Sequence, residues 1–100
     1  MTLINLETTY CDWTIAEVHK AAYSDGSLAL PIADSHTGEH LLTATVFLEH
    51  DKPAEGNVFI KDYSENEGLL DCLISQGVVS KPIREVQAGF VIVHECEVLV

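Results

Sequence analysis

Three stretches of this 100-residue chain carry side chains that could do chemistry. In His36-Thr37-Gly38-Glu39-His40, two histidines and a carboxylate could hold a metal ion. An i, i+4 histidine pair converges only on a helix, however, and Gly38 among turn-forming residues places this one in a loop, where the spacing fixes no geometry. In His94-Glu95-Cys96-Glu97 the residues alternate along a β-prone run, so His94 and Cys96 share one face and Glu95 and Glu97 the other. Such a set cannot close on one ion without ligands from elsewhere. The third stretch, Lys61 to Glu67, is a polar block: Lys61, Asp62, Tyr63, Glu65, Asn66 and Glu67 gather where a strand passes into a helix, a place where recognition loops are held by a rigid scaffold. These six are the candidate binding residues. A purely local reading stands beside that one: Ser64 and Glu67 form a capping box, Tyr63 packs as a hydrophobic staple, and the carboxylates complement the helix dipole.

Catalysis finds little to work with. A nucleophilic cysteine needs a base and an oxyanion donor, and neither Cys11, beside the only tryptophan, nor Cys72, inside the predicted helix, has neighbours that would lower its pKa. Sixteen carboxylates make every acid–base pairing unspecific. The six glycines are scattered as turn, cap or helix residues, with no phosphate-cradling loop, so no cofactor is implied. A non-enzymatic protein is expected. Trp13, Tyr10 and Tyr23 could form an exposed patch, but a lone tryptophan more commonly anchors a core.

The elements that position these residues must fit one modest core. A chain of this length buries roughly two-thirds of its unfolded surface, which is enough for a single domain spanning residues 1–100. A hydrophobic content of 47% argues against disorder. Leu3 to Thr9 reads as a short strand. From Trp13 to Tyr23 a helix reading, with Thr14 and Glu17 as a capping box, competes with strand alternation. The Asp25-Gly26 turn and the apolar run Leu28 to Ala33 favour a β-hairpin. Pro31 in its second arm implies an edge strand or a bulge. Leu41 to Leu48 and Asn57 to Lys61 read as further strands. The helix is predicted over 65–76, with its apolar stripe at Leu69, Leu70, Leu73 and Ile74 and Gly77 at the C-terminal cap. Phe90 to Val100 closes the chain as a strand, with Glu95 and Glu97 facing outward. The fold class is α+β: a small, mostly antiparallel, twisted sheet of about five to six strands with one helix packed on one face.

Charge narrows the partners. Sixteen acidic residues against five basic ones give a formal −11. Direct nucleic-acid binding is disfavoured because phosphate contacts need clustered cations. An anionic lipid surface would repel the chain, and no apolar run approaches the length of a membrane span. Three cysteines, an odd number without close spacing, suit a reducing cytoplasm, and the start of the chain lacks a basic leader.

The segments Thr37-Gly-Glu, Thr43-Ala-Thr-Val, Val58-Phe-Ile-Lys-Asp-Tyr-Ser-Glu-Asn-Glu-Gly68, Gly77-Val-Val and Gly89-Phe resemble a family of short proteins of unknown function from bacteria, phages and mobile elements. The resemblance covers about residues 25 to 95 and rests most heavily on the block at 60–68. It departs where Phe47-Leu48-Glu49 replaces the family's Asn-Leu-Pro. No activity comes with it. It implies a mobile-element context, in which small acidic proteins are often inhibitors of host defence. The expected function is therefore that of an acidic interaction protein that engages a basic, nucleic-acid-binding surface of a host protein such as a defence nuclease. A small-molecule or enzymatic module with a pocket between sheet and helix is the alternative. A homodimer joined through an edge strand, either the one carrying Pro31 or the C-terminal one, is another.

Overall fold

A computed structural model describes residues 2–100, apart from the side chain of Thr14. Among the described residues, nine short strands and one α-helix follow one another: β1 Thr2–Glu7, β2 Asp12–Val18, β3 Ala21–Ala22, β4 Leu28–Ala29, β5 Pro31–Asp34, β6 His40–Thr43, β7 Asn57–Ile60, α1 Leu69–Ser75, β8 Arg84–Ala88 and β9 Val91–Glu97. All named pairings are antiparallel, in the orders β1-β2-β5-β6, β3-β4 and β7-β9-β8. The architecture is the expected α+β arrangement, divided more finely than five to six strands. Two-residue pairs flank the Asp25-Gly26 turn, and β8, with three polar residues in five, carries no apolar run to announce it.

The contested segment is β-structure. Glu17 pairs with Ala33 and Ala21 with Ala29, so the hairpin around Asp25-Gly26 forms. Pro31 does not mark an edge, because β5 lies between β2 and β6. It is tolerated as the first residue of its strand, and the register slips by one residue between Ile32 and Ala33. β9 is likewise internal. Both edges expected to mediate a homodimer are thus covered within the chain.

The main core joins Ile4, Leu6, Ala16, Val18, Ile32 and Leu42 from the first sheet to Leu69, Leu70 and Leu73 of α1 and to Val58, Ile60 and Cys96 of the third. Backbone bonds from Val46 to Phe59 and from Lys61 to Ala44 connect the sheets through residues 44–46. At the far end of α1, Val78 N donates to Leu73 O and Gly77 N to Ile74 O, the paired bonds of a Schellman cap at the predicted place.

The helix starts later than predicted. Ser64–Asn66 form a 3-10 turn, and Gly68, at φ 92°, separates it from α1. A Cβ on Gly68 would stand 3.3 Å from the Thr9 backbone nitrogen, so the β1–β2 turn packs against this point. Ser64 makes no capping bond and itself sits at φ 54°.

Candidate functional site

The polar block is largely engaged in holding the fold. Asp62 Oδ1 accepts from Leu70 N at 2.9 Å, so the cap that Gly68 cannot supply comes from a residue outside the helix. Asn66, 1% exposed, donates from Nδ2 to the Thr43 carbonyl at 2.8 Å and so fastens the block to β6, while its Oδ1 is buried without a partner. Lys61 pairs with Glu65, which holds that carboxyl below its ordinary range, and its ammonium lies 5.4 Å from the Tyr63 ring centre. Glu67 is exposed, and its carbonyl accepts from Thr9 N at 2.7 Å. Capping by Ser64 and Glu67 is replaced by the Asp62 bond because Gly68 separates both residues from the first turn of α1.

That Thr9 bond brings the block to the tip of the β1–β2 hairpin. There Glu7 stands directly opposite Asp12 in the register, an arrangement of like charges that costs roughly 0.2–1 kcal/mol. An open groove of about 670 Å³ runs between β1 and α1, and Glu7 and Asp71 line it together with Asn5, Thr8, Thr9 and Ser75. Among the described residues, Glu7, Asp12, Glu67 and Asp71 have no ion-pair partner. Tyr10 at the tip is 72% exposed. Trp13, expected in the core, is exposed instead, and its Nε1 donates to Asp34 Oδ2 at 3.1 Å. Packing it inward would have buried an indole N–H away from that carboxylate. Tyr23 belongs elsewhere: its hydroxyl hydrogen-bonds Thr45 Oγ1 at 2.9 Å and its ring packs on Phe47. Between Trp13 and the rest of β2, Ile15 sits at φ 61°, a costly conformation for a β-branched residue, where β1 and β2 slip register.

A second polar centre lies on the third sheet and was not foreseen. Glu95, expected to face outward, is 3% exposed. The opposite face of β9 joins the main core through Cys96, so both sides of this central strand are covered. Glu95 Oε2 accepts from Asn57 Nδ2 at 2.8 Å and Ala54 N at 3.0 Å, and Oε1 from Arg84 Nε at 2.5 Å. Arg84 also forks onto Asp51, from Nη2 to Oδ1 at 2.9 Å, with its guanidinium 5.5 Å from the Phe59 ring centre. Burial pushes the Glu95 carboxyl up, but the bonds from Asn57, Ala54 and Arg84 outweigh it and hold it below the ordinary range. Asp51 is lowered by its bond from Arg84, and Arg84 is raised by both carboxylates. The network staples residues 51–57 to β8 and β9. Arg84 is the only arginine in the chain, a compositional hint that nothing in the spacing tied to Glu95.

The remaining candidates are dispersed. His36 and His40 lie in and beside the turn that Asp34 organises by accepting from His36 N at 2.7 Å and Thr37 N at 3.1 Å. His94 faces Glu85 and Ile60 across the strands. Among the described residues, no three His, Cys, Asp or Glu side chains converge as a metal site would require. The three cysteines are free thiols; Cys72 is buried against Asn5 O and Gln76, and burial pushes Cys96 up to about 11. No described helix is long and apolar enough to cross a membrane. Comparison with protein-family models, with curated proteins and with solved structures returned no match.

Proposed function

We propose that the protein is a small, non-enzymatic interaction protein whose hairpin end takes a cationic segment of a partner protein. The observation that carries this reading is the opposition of Glu7 and Asp12 at an exposed tip, where Glu67 and Asp71 add charge and, among the described residues, no cation pairs with any of the four. An arrangement that costs stability in the free protein becomes favourable when a lysine or arginine lies between the carboxylates. Exposed Tyr10 and Trp13 supply ring faces on which a guanidinium or ammonium packs. Of the six residues in the polar block, Glu67 belongs to this surface, while Asp62 and Asn66 are spent on α1 and β6 and Lys61 on Glu65 and the Tyr63 ring.

The acidic residues are divided among this end, the loop at 49–55, the Glu95 network and several turns. That division favours a local acidic and aromatic contact over a continuous row of phosphate-like charges. In a mobile-element setting, the partner would be a basic surface of a host protein, and occupying it would inhibit that protein.

The test is capture from a host lysate at low salt, eluted with rising salt, using the wild-type chain beside a Glu7→Gln/Asp12→Asn variant. Basic proteins should be held by the first and released early from the second. Equal retention by both chains, or recovery of no basic protein, would sink the reading.

A further inference from the structure

A strand at the edge of a sheet offers unpaired N–H and C=O groups to any other strand, and three of the four edges of the larger sheets here are stopped. On β1, the Gln76 carboxamide accepts from Asn5 N at 2.8 Å and donates to Asn5 O at 2.7 Å. On β6, Asn66 donates to the Thr43 carbonyl. On β7, residues 44–46 lie alongside, with Val46 N to Phe59 O at 3.1 Å, Lys61 N to Ala44 O at 2.9 Å and a bridge between Thr45 and Ile60. The fourth edge, β8, has no such stopper: among the described residues no backbone bond reaches its outer side.

The register shows what that edge presents. Ala88 and Val91 flank a two-residue turn, with Gly89 at φ 66° in its first central position, the pattern of a type II′ hairpin. The pair flanking such a turn exchanges hydrogen bonds. By alternation, Arg84 and Val86 then turn their backbone groups toward β9, and Glu85 and Gln87 turn theirs outward.

We infer that β8 pairs antiparallel with β8 of a second copy, about a two-fold axis through Val86, joining two three-stranded sheets into one of six. In this register Glu85 of each copy faces Gln87 of the other, exchanging backbone bonds and setting an amide against a carboxylate. Val86 meets Val86 of the second copy at the axis. Phe90, fully exposed at the hairpin tip, falls on Pro82 of the second copy, and exposed Ile83 falls beside it, opposite Gly89. No like charges oppose one another. A slip of one hydrogen-bonded step in one direction sets Glu85 against Glu85; in the other it carries Glu85 past the strand onto Gly89. The edge is thus self-complementary in a single register. Because each copy carries −11, the pairing must overcome mutual repulsion, and added salt strengthens it. Charge-driven capture of a basic partner has the opposite salt dependence, so the two proposals fail separately.

Sedimentation equilibrium at low and high salt provides the test. Particles of twice the 11.0 kDa chain mass are expected, with tighter association at high salt. Gln87→Pro removes an outward N–H and spares the β9 ladder, so it should raise the dimer Kd at least about tenfold with the circular dichroism spectrum unchanged. Independently, Val86→Cys in a Cys11→Ser background should cross-link to itself under mild oxidation, since the axis sets the two sulfurs face to face. A monomer at every concentration and salt overturns the inference. So does a dimer that Gln87→Pro leaves intact, or one in which Val86→Cys fails to cross-link.

Discussion

At Glu95 a carboxylate lies almost wholly out of water and meets three donors; at Glu7 a carboxylate faces another across the hairpin and meets none. In the first place, charge is turned inward. Ala54, Asn57 and Arg84 replace the water that Glu95 gives up, and what they hold is the position of residues 51–57 on the sheet. In the second, charge is left facing charge beside exposed rings, so the hairpin end is less comfortable alone than it would be against a cation. The same residue type therefore supports the fold at one end and is left opposed by its own kind at the other, and what separates them is the supply of donors.

Removing the donor should have the largest effect. Arg84→Met leaves Glu95 buried with only its two neutral partners, and a loss of about 3 kcal/mol is expected in urea unfolding. A change under about 1 kcal/mol would erase the distinction between the two regions. The pH dependence follows from the same groups. Glu95 and Asp51 titrate below their ordinary range when folded, so the stability they provide is fully present above their unfolded pKa of about 4 and is lost as pH falls through the lowered folded values. Acid titration of the wild type should show this limb, and Arg84→Met should flatten it.

Asp62→Ala should cost about 1 kcal/mol, because it removes the bond to Leu70 N. That would place an acidic residue beside the hairpin end in the same class as Glu95, since it has a donor. The smallest effect has the opposite sign: Asp12→Asn should stabilise the free chain by about 0.5 kcal/mol while weakening capture of basic partners. If the free chain loses stability instead, the opposed carboxylates are not in conflict and the contrast collapses.

Local pattern carried the helix stripe, the Schellman cap, the hairpin at Asp25-Gly26 and the antiparallel character of the sheets, because each depends on residues within a turn or strand of one another. The polar block at 61–67 was legible as a place of consequence, but its division of labour was not: Gly68 takes its conformation from the approach of Thr9, and Asp62 serves a helix that starts seven residues later. Glu95 resembles a solubilising residue on an outer strand until Arg84 and Asn57 arrive from other strands. Trp13 is typical of a core residue, and its partner Asp34 lies 21 positions away.

The Gln76 carboxamide has a consequence for synthesis. It closes the edge of β1 at Asn5 from 71 positions further along the chain. At about 5–20 residues per second, roughly 4–14 s separate the making of the edge from the making of its stopper. Through that interval the amino-terminal strands, if already paired, offer an open side to other nascent chains. The finished protein is closed at β1, and its period of greatest exposure there falls on the ribosome.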